Sequence, residues 1–416
     1  MPDDQAVDRL GAGREVTGVE FPDRVATSVH QLKTADGAAV HGVLHRLDGA
    51  TTVVSLMHPR QQLAHHPMIA YLLHAGCSVW TQNTRSPNND INLVHEQALL
   101  DVAAGQSFLR NAGFEHLLTF GHSGGGALFA YYIEQAATEP QYRFDTTPAG
   151  RPIALPGTEM PIPDGALFLA PHPGQGIVLR NCIDPSIGDA TDPLSVIKQL
   201  NMFDPVNGFC APGTSSNYPL DFLTEYRTAQ LDRIKRIDAL AREYADAAAA
   251  ARDAFGRTDD VGDRRVSLAP RIITTYRTDA DPRYVDLSID PNDRRYGSLF
   301  GRRPDLTNYG LVGFGRLTTA DAWLSTWSAL SSRATFERCA AGIYIPTLYI
   351  AFSGDQAAFP PDITRMFDAI ASSDKTRDSV AGQHFGQPLR PGEPTGYELA
   401  AAAIAKWVTE RYPVAT

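Results

Sequence analysis

Residues 116–137 read HLLTFGHSGGGALFAYYIEQAA, and this stretch decides the fold. An apolar run at 116–120 has the composition of a strand, and an alanine-rich helical pattern covers 127–137. Between them, residues 121–125 fit the pattern G-x-S-x-G, which places a serine, here Ser123, on a sharp turn above the edge of a sheet. The alternative is a glycine-rich turn that binds a phosphate. Phosphate loops usually show G-x-x-x-x-G-K-[ST] or G-x-G-x-x-G instead.

Strand and helix patterns alternate on both sides of this stretch. A hairpin is predicted over residues 29–45, and further strands at 52–57, 77–82, 116–120, 166–170, 346–352 and 377–381. Helices are predicted at 69–75, 94–113, 127–137, 319–341, 361–371 and 397–411. Strands that alternate with helices form a sheet covered on both faces. The sequence therefore predicts an α/β fold with a mostly parallel central sheet.

The alternation stops between residues 172 and 318. Proline- and glycine-rich loops surround one long helical pattern there, over about residues 221–255. Long insertions are tolerated because the cost of closing a loop grows only slowly with its length. We therefore expect three parts: the first part of the core at 1–171, an inserted cap or lid domain at 172–318, and the second part of the core at 319–416.

Composition excludes several classes of protein. The 416 residues carry a formal net charge of −10 and are 43% hydrophobic, which argues against a nucleic-acid partner and against disorder. No apolar run approaches the ~18 residues of a membrane span. The polar, acidic N-terminal stretch has no secretory pattern, so a cytoplasmic location is expected. The four cysteines form no CxxC pair, and no metal or organic cofactor is expected.

A serine hydroxyl becomes a nucleophile when a base lies within hydrogen-bond reach and a third group orients that base. Asp355 follows the strand at 346–352, and His384 follows the strand at 377–381. Both are expected at the edge of the sheet where Ser123 lies, in the chain order serine, acid, histidine. The sequence predicts Ser123 as nucleophile, His384 as general base and Asp355 as the residue that orients it.

Other residues could compete for these roles. His122, next to the serine on a sharp turn, should point away and be structural. His172 ends the strand at 166–170 and is expected to line a substrate pocket. The other acids near the last strands are Asp362, in the next helix, and Asp374 and Asp378, which precede or enter the final strand. Asp355 is preferred because it lies in the turn itself.

A developing oxyanion needs two N–H donors. One is expected from Gly124, the residue after the nucleophile, and the other from the loop after the strand at 52–57. That loop reads His58-Pro59-Arg60-Gln61, and Pro59 has no N–H. The backbone of Arg60 is therefore the predicted second donor, with Gln61 as the next candidate. The alternative is that His58-Pro59 is only a rigid turn.

On these motifs the sequence resembles the α/β-hydrolase superfamily of bacterial esterases, lipases and their relatives, over about residues 30–170 and 319–412. The resemblance rests on Met57-His58-Pro59, on the serine turn, on Ser353-Gly354-Asp355 and on Gly382-Gln383-His384. It implies the α/β-hydrolase fold, with a cap inserted after the strand that follows the nucleophile helix. The usual His-Gly after the third strand is His-Pro here.

The leading hypothesis is hydrolysis of a carboxylic ester through an acyl-enzyme. The same three residues could instead cleave an amide, a thioester or a carbon–carbon bond next to a ketone. A catalytically silent binding protein on this fold is the hypothesis from another class. The partner expected is a small molecule, bulky and partly apolar, with no nucleic acid and no membrane; a homodimer is left open.

The insertion is rich in aromatic and arginine residues. Tyr218, Phe222 and Tyr226 are expected to bind the substrate together with His172, as walls of a pocket for a bulky acyl or alcohol group. The alternative is that such aromatic residues form the insertion's own small core. The arginines between Arg294 and Arg303 are expected on a solvated face, or else on a substrate carboxylate or phosphate.

Overall fold

The computed structural model describes residues 18–415, so the polar N-terminal stretch lies outside the described residues. The strands are β1 Val25–Lys33, β2 Ala39–Leu47, β3 Thr52–Met57, β4 Ser78–Gln82, β5 His116–His122, β6 Gly165–Leu169, β7 Ile272–Thr274, β8 Leu317–Thr319, β9 Thr347–Gly354 and β10 Lys375–Gln383. The helices are α1 Met68–His74, α2 His95–Asn111, α3 Gly124–Ala137, α4 Gln175–Cys182, α5 Leu220–Thr258, α6 Val261–Leu268, α7 Pro304–Thr307, α8 Ala320–Ala322, α9 Phe336–Ala340, α10 Pro360–Ala369 and α11 Gly396–Thr409.

Eight strands form one sheet in the order β1-β2-β4-β3-β5-β6-β9-β10. β2 pairs antiparallel with both neighbours, and every other pairing in this sheet is parallel. Every residue of β3, β4 and β6 is buried, as expected for central strands covered on both faces. The predicted mostly parallel sheet is confirmed.

Helices cover the two faces of this sheet with separate hydrophobic clusters. On one face, α2, α3, α9 and α10 pack around Phe129, Phe168 and Tyr349. On the other face, α1 and α11 pack around Phe120, Leu169 and Phe352. Because β6 and β9 contribute side chains to both clusters and β5 contributes to the second, the core holds the carboxyl ends of all three strands in fixed positions. The candidate site is built on those ends.

The chain between β6 and β9 carries a hydrophobic cluster of its own. It packs α4 and α5 against the following loops, and α5 is 39 residues long. Trp323, Leu324 and Trp327 belong to the same cluster, beyond the boundary at residue 318. The division into 1–171, 172–318 and 319–416 stays a prediction, and this packing favours a later end for the insertion. Within residues 18–415, no helix combines the length and apolarity needed to cross a membrane.

The single helix predicted at 319–341 is wrong. The chain forms the short helix α8, a π-helical turn at Trp323–Trp327, a loop, and then α9. The Ser328 hydroxyl accepts the backbone N–H groups of Leu330 and Ser331 at 3.0 and 3.1 Å. Such side-chain bonds to the local backbone compete with helical ones, which explains why the helix stops here.

Candidate active site

Ser123 lies in a strained turn between β5 and α3. Its φ is 56° and its ψ is −123°, a backbone conformation that residues with a side chain rarely adopt. A Cβ atom at Gly121 would lie 2.7 Å from the carbonyl oxygen of Gly125, and one at Gly125 would lie 2.5 Å from that of Met57. Both positions therefore require glycine, which explains the G-x-S-x-G pattern.

Ser123, His384 and Asp355 form one chain of hydrogen bonds. His384 Nε2 lies 2.8 Å from Ser123 Oγ, and His384 Nδ1 lies 2.8 Å from Asp355 Oδ1. The same carboxylate oxygen accepts the backbone N–H of Ala357 at 2.6 Å, which fixes its position. Because the carboxylate accepts a hydrogen bond from Nδ1–H, Nε2 is left as the acceptor for the serine hydroxyl.

The competing acids lie elsewhere. Asp362 Oδ2 accepts the backbone N–H of Phe359 at the start of α10, and its Oδ1 pairs with Arg365 at 2.5 Å. Asp374 pairs with Arg411 at 2.8 Å at the surface, and Asp378 is exposed. Among the four acids considered from the sequence, only Asp355 contacts the imidazole of His384.

The predicted second oxyanion donor is not available. The backbone N–H groups of Arg60 and Gln61 both donate to His58 Nδ1, at 3.0 and 3.1 Å. The Arg60 guanidinium forms a bidentate pair with Asp90 at 2.7 Å. The structure thus does not support Arg60 in this role, because the His58 side chain folds back over its own loop and takes both N–H groups. The Gly124 N–H remains well placed, at the first position of α3 directly after Ser123.

The serine, the acid and the histidine follow β5, β9 and β10 in that order, at the carboxyl edge of one sheet. A serine on a strand–turn–helix elbow, followed in the chain by the acid and then the histidine, is the arrangement of the α/β-hydrolases. The chain has the α/β-hydrolase fold.

Comparison with known proteins gives structural likenesses only. The α/β-hydrolase GrgF from Penicillium sp. sh18 is similar with a TM-score of 0.49 and 11% identity, over 92% of this chain and 98% of that one. Est1E from Butyrivibrio proteoclasticus has a TM-score of 0.46 and 11% identity, over 92% and 98% of the two chains. Brefeldin A esterase, a bacterial homologue of human hormone sensitive lipase, has a TM-score of 0.46 and 11% identity, over 97% and 81%.

No protein-family model matches the sequence, and no curated protein matches it. The likenesses above concern the fold alone. The chemistry of this chain therefore rests on the arrangement of its own side chains.

Two further histidines, His66 and His122, form a series of hydrogen bonds that ends at the backbone of His384. The Met68 N–H donates to His66 Nδ1 at 3.2 Å, so His66 carries its proton on Nε2 and can donate it to His122 Nδ1 at 3.1 Å. His122 Nε2 in turn donates to the backbone carbonyl of His384 at 2.9 Å. The imidazole of His122 thus holds the backbone of His384 in place, which agrees with the structural role expected for His122.

A small cavity of about 40 Å³ opens beside Ser123. His172 lines it, as expected, together with His58, Gln175 and Phe300. The Gly174 N–H donates to His172 Nδ1 at 3.0 Å, and burial lowers the pKa of His172 to about 3. His172 is therefore a neutral imidazole with its proton on Nε2. Sequence reasoning did not identify Gln175, because the residue stands outside every motif of the resemblance.

The aromatic residues predicted to bind substrate lie elsewhere. Tyr218, Phe222 and Tyr226 belong to the hydrophobic cluster of the insertion, and none of them lines this cavity. The hydroxyls of Tyr218 and Tyr226 donate to backbone carbonyls at 2.7 Å. The structure does not bring these three residues to the cavity at Ser123, and the alternative of an internal core for the insertion describes their packing.

The arginine-rich segment is also only partly a solvated face. The Arg294 side chain is buried, and its guanidinium donates to the backbone carbonyls of Arg283 and Ile289 at 2.9 and 2.7 Å. Arg302, by contrast, is exposed. The expectation of a solvated face is therefore wrong for Arg294, because five neighbouring acceptors, all but one of them backbone carbonyls, surround its planar donor group.

The insertion is joined directly to the turn that carries the acid. Asn292 Nδ2 donates to the backbone carbonyl of Asp355 at 2.8 Å, and the Asp293 N–H donates to that of Ser353 at 2.9 Å. These two bonds connect the loop before Arg294 with the end of β9. The position of Asp355 thus depends on residues of the insertion as well as on the sheet.

Proposed function

We propose that the protein is a serine hydrolase that cleaves a carboxylic ester through an acyl-enzyme. The observation that carries this proposal is the unbroken chain of 2.8 Å contacts from Asp355 through His384 to Ser123 Oγ. It lies below the surface, with Ser123 only 8% exposed. Strained backbone conformations cluster at active sites, and an oriented base within hydrogen-bond reach is what a serine nucleophile requires.

In the first half-reaction, Ser123 Oγ attacks the ester carbonyl carbon while His384 Nε2 accepts the hydroxyl proton. The carbonyl oxygen becomes an oxyanion that accepts the N–H of Gly124. His384 then gives the proton to the leaving alcohol oxygen as the carbon–oxygen bond breaks. In the second half, His384 takes a proton from water, the hydroxide attacks the acyl-enzyme, and the proton returns to Ser123 Oγ as the acid leaves.

Three other kinds of bond are alternative targets of the same site. An amide, a thioester or a carbon–carbon bond next to a ketone would meet the same nucleophile and base. An amide needs a fully protonated leaving amine, which makes an activated ester the easier substrate for the same residues. A silent binding protein is disfavoured, because nothing in ligand binding requires an oriented imidazole on a strained serine.

The test is to trap the acyl-enzyme. The purified protein is mixed with p-nitrophenyl acetate in a stopped-flow instrument, and the release of p-nitrophenolate is followed. The reaction is then quenched in acid and digested, and the mass of the peptide that contains Ser123 is measured by mass spectrometry. We expect a burst of p-nitrophenolate and one acetyl group on that peptide, and a fluorophosphonate should label the same serine. A matched anilide of the same acid should turn over more slowly. Absence of both acetylation and fluorophosphonate labelling in folded protein would refute the proposal.

A further inference from the structure

The cavity beside Ser123 contains a buried amide group without a hydrogen-bond partner. Gln175, the first residue of α4, is 1% exposed. Both Nε2 and Oε1 of its side chain are buried, and neither has a hydrogen-bond partner within residues 18–415. Buried amides in folded proteins are nearly always paired, because the hydrogen bonds lost to water cost stability. An unpaired amide that lines a cavity therefore indicates a ligand group.

The amide nitrogen lies over the residue that follows the nucleophile. A Cβ atom at Gly124 would overlap Gln175 Nε2 and lie 2.9 Å from His58 Nε2 and 3.1 Å from His172 Nε2. Gly124 thus leaves the space that the amide occupies. The N–H of Gly124 is the first oxyanion donor, so Gln175 Nε2 lies beside the position where the carbonyl oxygen of a bound ester would be.

Neighbouring contacts fix this arrangement. The His172 N–H donates to the carbonyl of Ser123 at 3.3 Å, which attaches the loop before α4 to the serine turn. A Cβ atom at Gly176 would lie 2.6 Å from the carbonyl oxygen of Ser328, so the first turn of α4 is tightly packed. An oxyanion donor has to be held in place before reaction, and these contacts provide that rigidity.

We propose that the side-chain N–H₂ of Gln175 is the second donor to the oxyanion, in place of a backbone N–H from the loop after β3. The inference rests on the proposed function. It accounts for two observations together: the amide without a partner, and the loss of the Arg60 and Gln61 N–H groups to His58. Gln175 is then a catalytic residue, which touches the reacting carbonyl oxygen.

The experiment compares Gln175→Met and Gln175→Glu with the wild type. Methionine keeps the length of the side chain without its donor, so kcat for p-nitrophenyl acetate should fall about 100- to 1,000-fold with little change in KM. Binding of a trifluoromethyl ketone, which forms the oxyanion, should weaken by a similar factor. The matched control is Gln135→Met, a buried glutamine of α3 that does not line the cavity, and its kcat should equal that of the wild type.

Gln175→Glu provides a readout that a packing role would not give. A glutamate has the same shape, but its carboxylate repels the oxyanion, whereas its protonated form can donate. The rate of this variant divided by the wild-type rate at the same pH should therefore rise as the pH falls. A Gln175→Met kcat within about threefold of the wild type, or a flat Gln175→Glu ratio, would overturn the inference. The proposed function fails separately, if Ser123 is not acylated.

A second inference, on the same proposed function, comes from the two cavities that meet at His384. The cavity at Ser123 and a larger one of about 180 Å³ share Leu299, His384 and Phe385 in their linings. The larger cavity is lined by Arg295 and Arg302 and by no aspartate or glutamate. Neither arginine forms an ion pair within residues 18–415, and the Arg295 guanidinium donates to the backbone carbonyls of Pro388 and Leu389. Two positive charges thus face this space without a carboxylate among its lining residues.

The chemistry assigns a part of the substrate to each cavity. His384 protonates the leaving oxygen, so the leaving group lies on the His384 side and the acyl group lies beside Gly124 and Gln175. A cavity needs ~10–15 Å³ to hold one water molecule, so the cavity of about 40 Å³ has room for a chain of very few atoms. We infer that the substrate is a short-chain acyl ester whose leaving alcohol carries an anionic group. The bulk expected from the sequence then has to lie in the leaving group.

The test uses a panel of synthetic esters. The wild type should prefer p-nitrophenyl acetate to the octanoate at least tenfold in kcat/KM, since a single methylene in a tight pocket is already worth about 10- to 200-fold. It should also prefer 4-acetoxybenzoate to its neutral methyl ester. Arg302→Gln should lower kcat/KM for the anionic ester by about three- to fivefold, as expected for an exposed charge pair, and leave the neutral ester unchanged. The control is Arg390→Gln, an exposed arginine outside the cavity.

Two results would overturn this inference. Preference for the octanoate would contradict the small acyl cavity. Equal effects of Arg302→Gln on the anionic and the neutral ester would contradict the role of charge. Either result leaves acylation of Ser123, and with it the proposed function, intact. Parallel measurement of an acetyl ester with a phosphate on the leaving alcohol tells whether the site favours a carboxylate or a phosphate.

Discussion

Ser123→Ala is expected to lower kcat for p-nitrophenyl acetate by about 10⁵- to 10⁶-fold, the effect of removing the nucleophile from a serine–histidine–acid unit. The hydroxyl is the atom group that forms the covalent bond, so neither His384 nor the oxyanion donors can replace it. Alanine tolerates the φ of 56° about as well as serine does, so the fold should persist. Steady-state rates, with thermal melting of the same preparation, measure both effects.

The control for this variant is fluorophosphonate titration. It counts reactive serines, so a trace of wild-type protein can be told from residual activity of the variant. Retention of more than about one part in a thousand of the wild-type rate, without any labelled protein, would show that another group performs the attack. The assignment of Ser123 would then be wrong whatever the fold.

Asp355→Asn is expected to lower kcat about 10⁴-fold. Asp355 Oδ1 accepts a hydrogen bond from His384 Nδ1–H, and this contact leaves Nε2 unprotonated toward Ser123. An asparagine amide can instead donate to Nδ1, which moves the proton to Nε2 and removes the base. The change should appear in kcat more than in KM, because the carboxylate does not line the cavity at Ser123.

Asp378→Asn is the matched control, since Asp378 is an exposed acid of β10. It should keep the wild-type rate. If Asp355→Asn and Asp378→Asn were equally active, the contact between Asp355 and His384 would have no part in the reaction. Nuclear magnetic resonance of the His384 ring nitrogens would show directly which nitrogen carries the proton in each protein.

The sheet and the serine–histidine–acid unit could be predicted because their signals are local. Gly121 is required by its contact with Gly125 in the same motif, and Asp355 follows a strand whose apolar run is visible in the sequence. The carboxyl ends of parallel strands meet at one edge, so their neighbourhood follows from topology. No knowledge of side-chain conformation was needed.

The rest of the site depends on side-chain conformation. The sequence allows the Arg60 N–H as a donor, but in the structure this N–H donates to the His58 side chain. Nothing in the sequence His58-Pro59-Arg60 indicates that the His58 side chain turns toward its own loop. Gln175 reaches Gly124 across about fifty residues of chain, through a loop without a motif. The aromatic residues of the insertion fit a pocket or a core equally well by composition, and only packing places Tyr226 in the core.

The bonds from Asn292 and Asp293 to the end of β9 limit how this protein can be re-engineered or can diverge. A chimaera that received a foreign insertion between β6 and β9 would lose the Asn292 amide that donates to the Asp355 carbonyl. Its specificity would change, but the catalytic acid would also lose a contact that positions it. The insertion is not an interchangeable module. Recombination that retains Gln175 and residues 290–295 and varies the remainder is the route that keeps the reaction while the substrate changes.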